Sequence, residues 1–356
     1  MYFDSNDSLC TYLESRPLKD TEKLMLMVGE ASADTLPQLR ETLNKKGITY
    51  FGGIYAQLLV GEKHLSEGAI AFIVEPLYCG LVLPHMMRLK QSPELFKGCT
   101  AITLVDGLSS DMKVLTETVY RKLGDHVQYL GGGAGFYDLK HRPCLFDEKG
   151  MYEDVLYLCI VKADVKLAVK HGWTKLIGPF TVTRSVDNVL SEIDGQPAFD
   201  ICREALEDAE DILLSKEEFF RYAKEHPFGI LQDDDSVIVR DPISVTDDRA
   251  IICVANIPEQ KEVYVLSGDV NTLLASSQDI AAYCAEHQPD TYHLLLFDCI
   301  SRAMFLEEKF KQELSNIQCS LNEMLYGALS IGEIASSYSG ELVIHNKSTI
   351  IGLLER

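Results

Sequence analysis

The residues best equipped for chemistry lie between positions 298 and 349. Asp298, Cys299, Ser301 and Arg302 crowd the end of an apolar run, His293-Leu294-Leu295-Leu296-Phe297. Gly332-Glu333 and the polar string His345-Asn346-Lys347-Ser348-Thr349 follow. A cysteine becomes a nucleophile when a base or cation favours its thiolate. Arg302, three positions on, and His345 could serve Cys299 in that way. An inert buried thiol and a thiol that touches ligand without reacting are the other two readings. Arg302 carries a planar fork that suits a carboxylate bidentately, whether Glu333, Asp298 or the acid group of a ligand. Glu333 could receive a ligand amine, and a matched Arg and Glu in one cleft is what a zwitterionic amino acid requires. On that reading Arg302→Met abolishes binding and leaves the fold intact. Ser301 and Asn346 complete the set on this stretch.

The run before Asp298 is short enough for a buried strand, and Met304, Phe305, Phe310 and Leu314 space a helix after it. A strand running into a helix leaves its last side chains in a crevice where α/β proteins bind ligands. Upstream, strands are expected at Leu24–Val28, Ile48–Phe51, Gln57–Val60, Ala69–Val74 and Thr100–Val105. Helices are expected over Ala33–Lys46 and Met112–Leu123. Val127–Leu130 then runs into Gly131-Gly132-Gly133-Ala134-Gly135, which reads as a turn or a ligand-contact loop. It lacks the Gly-Lys-Ser/Thr ending of a phosphate loop and fails G-x-G-x-x-G at Phe136.

Strands at Val155–Val161, Lys166–His171 and Ile177–Thr183 form a meander bent at Gly172-Trp173. Arg184 ends its last strand, where it could face a cleft. A helix from Pro197 to about Leu206 runs into the acidic stretch Glu204–Asp211. That stretch marks a domain boundary or a solvated helix face. Ser215-x-x-Glu218 is a capping box for a helix that His226-Pro227 stops. Asp233-Asp234-Asp235 reads as a solvated turn, since a calcium loop needs alternate ligands and a central Gly. Strands at Val237–Arg240, Ala250–Val254 and Val263–Leu266, and a helix over Ser277–His287, lead back to the first stretch.

TLVDGLSSDM (103–112) and LLFDCISRAM (295–304) echo each other, each with a strand, a terminal Asp and a following helix. The expected fold is therefore α+β: two related halves with mixed or antiparallel sheets covered by helices, and a ligand cleft at strand ends. The histidines are scattered without ligand-like spacing, so neither a metal nor a cofactor is expected.

The net charge of −21 over 356 residues argues against nucleic acid and against an anionic membrane surface. Ten cysteines scattered without a C-x-x-C pair read as buried thiols, not staples. The N-terminus lacks the basic segment and apolar core of a signal peptide. Gly68–Met87, the most apolar region, is broken by Glu75, Pro76, Pro84 and His85. A cytoplasmic protein without membrane insertion is expected.

Several separated motifs resemble FIST-domain proteins, in that family's order. TYFGGIYAQLLVGE, TAITLVDGLSSDM, YLGGGAGFYD and VKHGWTKLIGPFTVTRS resemble the N-terminal domain. FDCISR, GALSIGEIA and ELVIHNKST resemble the C-terminal one. The resemblance implies a FIST N-terminal domain over 22–207 and a FIST C-terminal domain over 215–354. It further implies a small-ligand sensory module, with an amino acid or related polar metabolite as ligand. Gly132 and Gly133 then become ligand-loop residues and Trp173 a cleft wall. With no output segment attached, an unknown partner in trans or self-association would read the signal. The competing classes are an enzyme using Cys299 with Arg302, Glu333 and His345, and a protein-interaction platform.

Overall fold

The computed structural model describes residues 1–232 and 237–356, so the turn expected at 233–235 lies outside the described residues. Four sheets carry the architecture, and three of them are wired alike. Unit 1 runs β1 (Lys23–Gly29), α1 (Leu36–Lys45), β2 (Tyr50–Tyr55), a hairpin β3 (Leu58–Val60) and β4 (Lys63–Leu65), then β5 (Ala69–Val74). Unit 2 repeats this as β6 (Cys99–Asp106), α2 (Met112–Leu123), β7 (Val127–Ala134), hairpin β8 (Leu145–Asp147) and β9 (Met151–Tyr152), and β10 (Leu156–Val161). Unit 3 is β11 (Tyr292–Cys299), α3 (Ile300–Leu306), α4 (Phe310–Ser320), β12 (Leu325–Ser330), hairpin β13 (Glu333–Ser336) and β14 (Leu342–His345), and β15 (Thr349–Glu355).

Within each unit the first two strands pair in parallel, and the last returns antiparallel to the first. The hairpins leave home. Unit 1 gives β3 to β12, unit 2 gives β8 to β2, and unit 3 gives β13 to β7. Each hairpin thus completes a neighbour's sheet, and the exchange closes into a cycle.

The equivalence can be read atom by atom. A Cβ on Gly52, Gly131 or Gly327 would lie 2.1, 1.8 or 1.9 Å from the carbonyl oxygen of Leu26, Thr103 or Leu296, its parallel neighbour. Only glycine allows that approach. The run Gly131–Gly133 is therefore the second half of a strand, and the expected turn or loop there is not formed. The repeat is threefold where two halves were expected. The sequence echo was also slipped by one residue. Asp106 pairs with Ala134 and Cys299 with Ser330 at matching positions, so Asp106 corresponds to Cys299 and not to Asp298.

Burial explains why these segments form strands. All eight residues of β6 are buried, as a parallel strand covered on both faces requires. Met112, Leu115, Val119 and Leu123 line the inner face of α2 at helical spacing, and Gly124, at φ +56°, ends it. A fully buried Leu in such a face contributes about 1.5–3 kcal/mol. Between units 1 and 2, the Phe51 and Tyr157 rings stack 4.7 Å apart.

A fourth sheet is inserted between the strand Val165–Lys170, which pairs with β15, and the helix Val270–His287. Its strands, all antiparallel, form a near-closed barrel in the order Val237–Arg240, Phe228–Leu231, Glu262–Ser267, Thr174–Val186, Val189–Ile193, Ile251–Cys253, Pro242–Val245. Phe199, Cys202 and Leu206 of the helix Ala198–Glu210 fill it with Phe219, Val182, Ile193 and Val263. The acidic stretch is the last part of that helix. Strands on both sides of residues 207–215 pair directly within the barrel, as Lys175 does with Leu266.

Candidate functional site

The end of β11, the start of α3, the end of β12 and the loop between β14 and β15 converge on one buried polar cluster. Gly332, at φ +82°, turns the chain so that Glu333 follows Ser330 directly into the cluster. The barrel segment Arg240–Asp241 and the bend His171–Trp173 cover it.

Arg302 is fully buried and its fork is already taken. Nε and Nη2 each lie 2.8 Å from a different oxygen of Glu313, and Nη2 also donates to Leu273 O at 2.8 Å and Ser276 Oγ at 3.0 Å. Nη1 donates to the carbonyl of His171. The internal ion pair is the outcome here, with a partner eleven residues on that the sequence reading did not weigh. Glu333 does not face Arg302. Its Oε1 accepts from Ser330 Oγ at 2.9 Å and its Oε2 from Ser348 N at 3.4 Å.

Asp298 Oδ1 accepts from Cys299 N at 2.9 Å and from Thr349 Oγ1 at 3.2 Å, and lies 3.9 Å from Arg302 Nε. Burial, reinforced by nearby Glu313, pushes the Asp298 carboxyl well above the usual range. Burial raises the Glu333 carboxyl and the Cys299 thiol in the same way. A thiol so raised stays protonated, which suits the ligand-contact and inert readings of Cys299 better than the nucleophile.

The cation that addresses the cluster is Lys347, also fully buried. Its Nζ donates to Ser301 Oγ at 2.8 Å and to the Lys224 carbonyl at 2.9 Å, and lies 3.2 Å from Asp241 Oδ1. It sits 5.2 Å from the ring of Trp173, whose Nε1 donates to Lys347 O at 3.2 Å. Lys347 and Asp241 were missed as site residues. The string HNKS placed the lysine near the chemistry, but Asp241 arrives from the barrel with no local signal.

Arg240 donates from Nη1 to Ile344 O at 3.0 Å, and burial lowers its pKa to about 10. Burial also drives His345 down to about 3 and His171 to about 4, with neighbouring arginines adding to both. Three polar atoms of the cluster, Asp298 Oδ2, His345 Nε2 and Asn346 Oδ1, are buried without a hydrogen-bond partner.

Asp298, Cys299, Ser301, Arg302, Glu333, Asn346 and Trp173 are thus brought together. Gly132 and Gly133 back the cluster without lining it. A Cβ on Gly132 would lie 2.7 Å from Phe297 and 2.8 Å from Ser330, and one on Gly133 would lie 2.0 Å from Ile331 O. Arg184 stands apart on the exposed barrel surface, 3.6 Å from Glu192.

Three exchanged sheets, with an inserted barrel over one buried polar cluster at strand ends, define an architecture that two sequence segments share. The FIST N domain matches residues 23–196 and the FIST C domain residues 198–336, so the chain belongs to the FIST family, whose domains are sensory and associated with signal transduction. No curated protein matches the chain. The junction of the two segments falls within the barrel, just before the helix Ala198–Glu210. Among the described residues, no helix is long and apolar enough to cross a membrane.

Proposed function

We propose that the protein senses a small polar metabolite, an amino acid or a close relative, in the crevice of unit 3, with the barrel as its cover. Three of the six buried, unpartnered side-chain polar atoms among the described residues lie in this one cluster, and that concentration carries the reading. Each such atom costs about 1–3 kcal/mol, which a ligand supplying the missing partner would recover.

The contacts that hold the cover are polar and exchangeable: Lys347 with Asp241 and the Lys224 carbonyl, Arg240 with Ile344 O, and Trp173 with Lys347 O. A ligand carboxylate would replace Asp241 on Lys347, since Arg302 is spent on Glu313. The ligand amine would then meet Glu333 and Asn346. Binding that displaces Asp241 shifts the population toward a loosened cover, and a partner or a second copy reads that change.

The test is a melting-shift and calorimetric screen of the protein amino acids with their oxo acids and amines. A ligand at about 100 times its dissociation constant adds about 2.7 kcal/mol of stability. The expected ligand binds wild type, is lost in Lys347→Met, and binds several-fold tighter to Asp241→Asn, which no longer competes for the ammonium. Equal binding to Lys347→Met would sink the proposed site. Turnover of the ligand, lost in Cys299→Ala, would convert the reading to catalysis. No response across the screen would leave a protein-interaction platform as the better account.

A further inference from the structure

The strand end of unit 2 holds a second constellation, separate from the crevice of unit 3. Asp106 closes β6, and His141 and Asp154 reach it from the two connections that flank the hairpin of β8 and β9. His141 Nε2 lies 2.8 Å from Asp106 Oδ2 and 3.4 Å from Asp154 Oδ1, and the three ligand atoms are all within 4.8 Å of one another. Bonds of about 2.0–2.2 Å at tetrahedral or octahedral angles place neighbouring donors about 2.8–3.6 Å apart. The two histidine distances fall in that range.

Each carboxylate is also oriented by something other than the histidine. Asp106 accepts from Leu108 N at Oδ1 and from Asp154 N at Oδ2, at 3.2 and 2.8 Å. Asp154 Oδ1 accepts from Ser109 Oγ at 2.7 Å. Outer partners of this kind are what hold metal-binding side chains in place. The Asp106 side chain is 2% exposed while those of His141 and Asp154 are 39% and 43% exposed, so one anchored ligand sits beneath two that an ion can reach from solvent. The buried thiol of Cys144 also interacts with Asp106.

We propose that Asp106, His141 and Asp154 form a site for one divalent first-row transition ion, with its remaining coordination positions open to solvent. One imidazole with two carboxylates selects zinc, manganese or ferrous iron over magnesium or calcium, which prefer oxygen alone. The position is the counterpart of Cys299, so the same strand end that carries a buried thiol in unit 3 carries a metal ligand in unit 2. No local motif announces the site, because its members stand 35 and 13 residues apart and meet only through the exchanged hairpin.

The experiment titrates chelator-treated full-length protein with Zn²⁺ and Co²⁺ by calorimetry, following visible Co²⁺ absorption in parallel. One ion per chain is expected, with affinity at least tenfold weaker in His141→Gln and in Asp154→Asn. Both side chains are part-exposed, so each metal-free variant should stay folded with a cooperative transition and a melting temperature within a few degrees of wild type, which excludes misfolding as the cause. Absence of saturable uptake, or uptake unchanged in both variants, overturns the site. Calcium or magnesium binding as tight as zinc overturns the assigned class of ion.

Discussion

Units 2 and 3 end their parallel strand pairs in the same way and place opposite chemistry there. At the end of β6 the His141 side chain is 39% exposed, and its hydrogen bond to Asp106 raises its pKa. At the end of β11 the barrel covers the polar cluster, and burial drives His345 to about 3 and His171 to about 4. Identical wiring thus favours the protonated form of an open, carboxylate-paired histidine in one unit and the neutral form of desolvated histidines in the other. The cover decides the difference, because burial penalises whichever protonation state is charged.

The comparison rests first on the shared glycines. Ala at Gly52, Gly131 or Gly327 should cost more than about 4 kcal/mol in each unit, seen as loss of soluble protein or of the urea transition. Gly80→Ala is the control, since its nearest atom is the Tyr78 hydroxyl at 3.2 Å, on a side chain that can swing. Wild-type stability in Gly131→Ala would break the threefold reading.

Next in size is Arg302→Met, whose expected intact fold the structure does not support. It strands buried Glu313 and Asp298, and should cost about 3–5 kcal/mol in denaturant unfolding. Adding Glu313→Leu should restore part of that loss; a further loss would show that the pair is not the unit of stabilisation.

The smallest effects have opposite signs of pH dependence. The lowered histidines are neutral when folded, while the unfolded chain takes up protons below about pH 6.5. Their contribution is therefore full above that pH and is lost as pH falls toward about 4 for His171 and about 3 for His345, by at most about 1.4 kcal/mol per pH unit for each. The stability gap between wild type and His345→Gln should shrink on acidification. His141, with its pKa raised, contributes below about pH 6.5 and loses that contribution as pH rises through its folded value. The gap to His141→Gln should shrink in the alkaline direction, and less, because the group is part-exposed. Parallel pH profiles would remove the proposed role of the cover.

Much of this was legible in the sequence. Ala69–Val74 and Met112–Leu123 have the bounds that periodicity assigned, because each presents an unbroken local pattern. The crowding at Asp298–Arg302 correctly marked a strand end. The misses share one cause. Gly131–Gly133 reads as a turn or loop until Thr103 O is known to sit against it, and the partner of Arg302 stays open between a ligand acid and an internal carboxylate until Glu313 turns inward from α4. Propensity and spacing report on a segment, and contacts between distant segments fix these roles. Asp241 on Lys347 and His141 on Asp106 are contacts of the same kind, so both lysine and metal-type geometry were invisible beforehand.

The exchange of hairpins also has a consequence for how the protein is made. The hairpin of β3 and β4 leaves the ribosome early, yet its partner β12 begins only at Leu325. At roughly 5–20 residues per second, the nascent chain holds an unpaired strand edge for on the order of tens of seconds. The first family segment can complete only the sheet of unit 1, while the sheets of units 2 and 3 each need strands from both segments, as β13 completes the sheet begun by β6 and β7. Vectorial synthesis therefore cannot proceed one finished domain at a time. The sheets of units 2 and 3 close only when the last strands emerge, and until then a chaperone has exposed edges to guard.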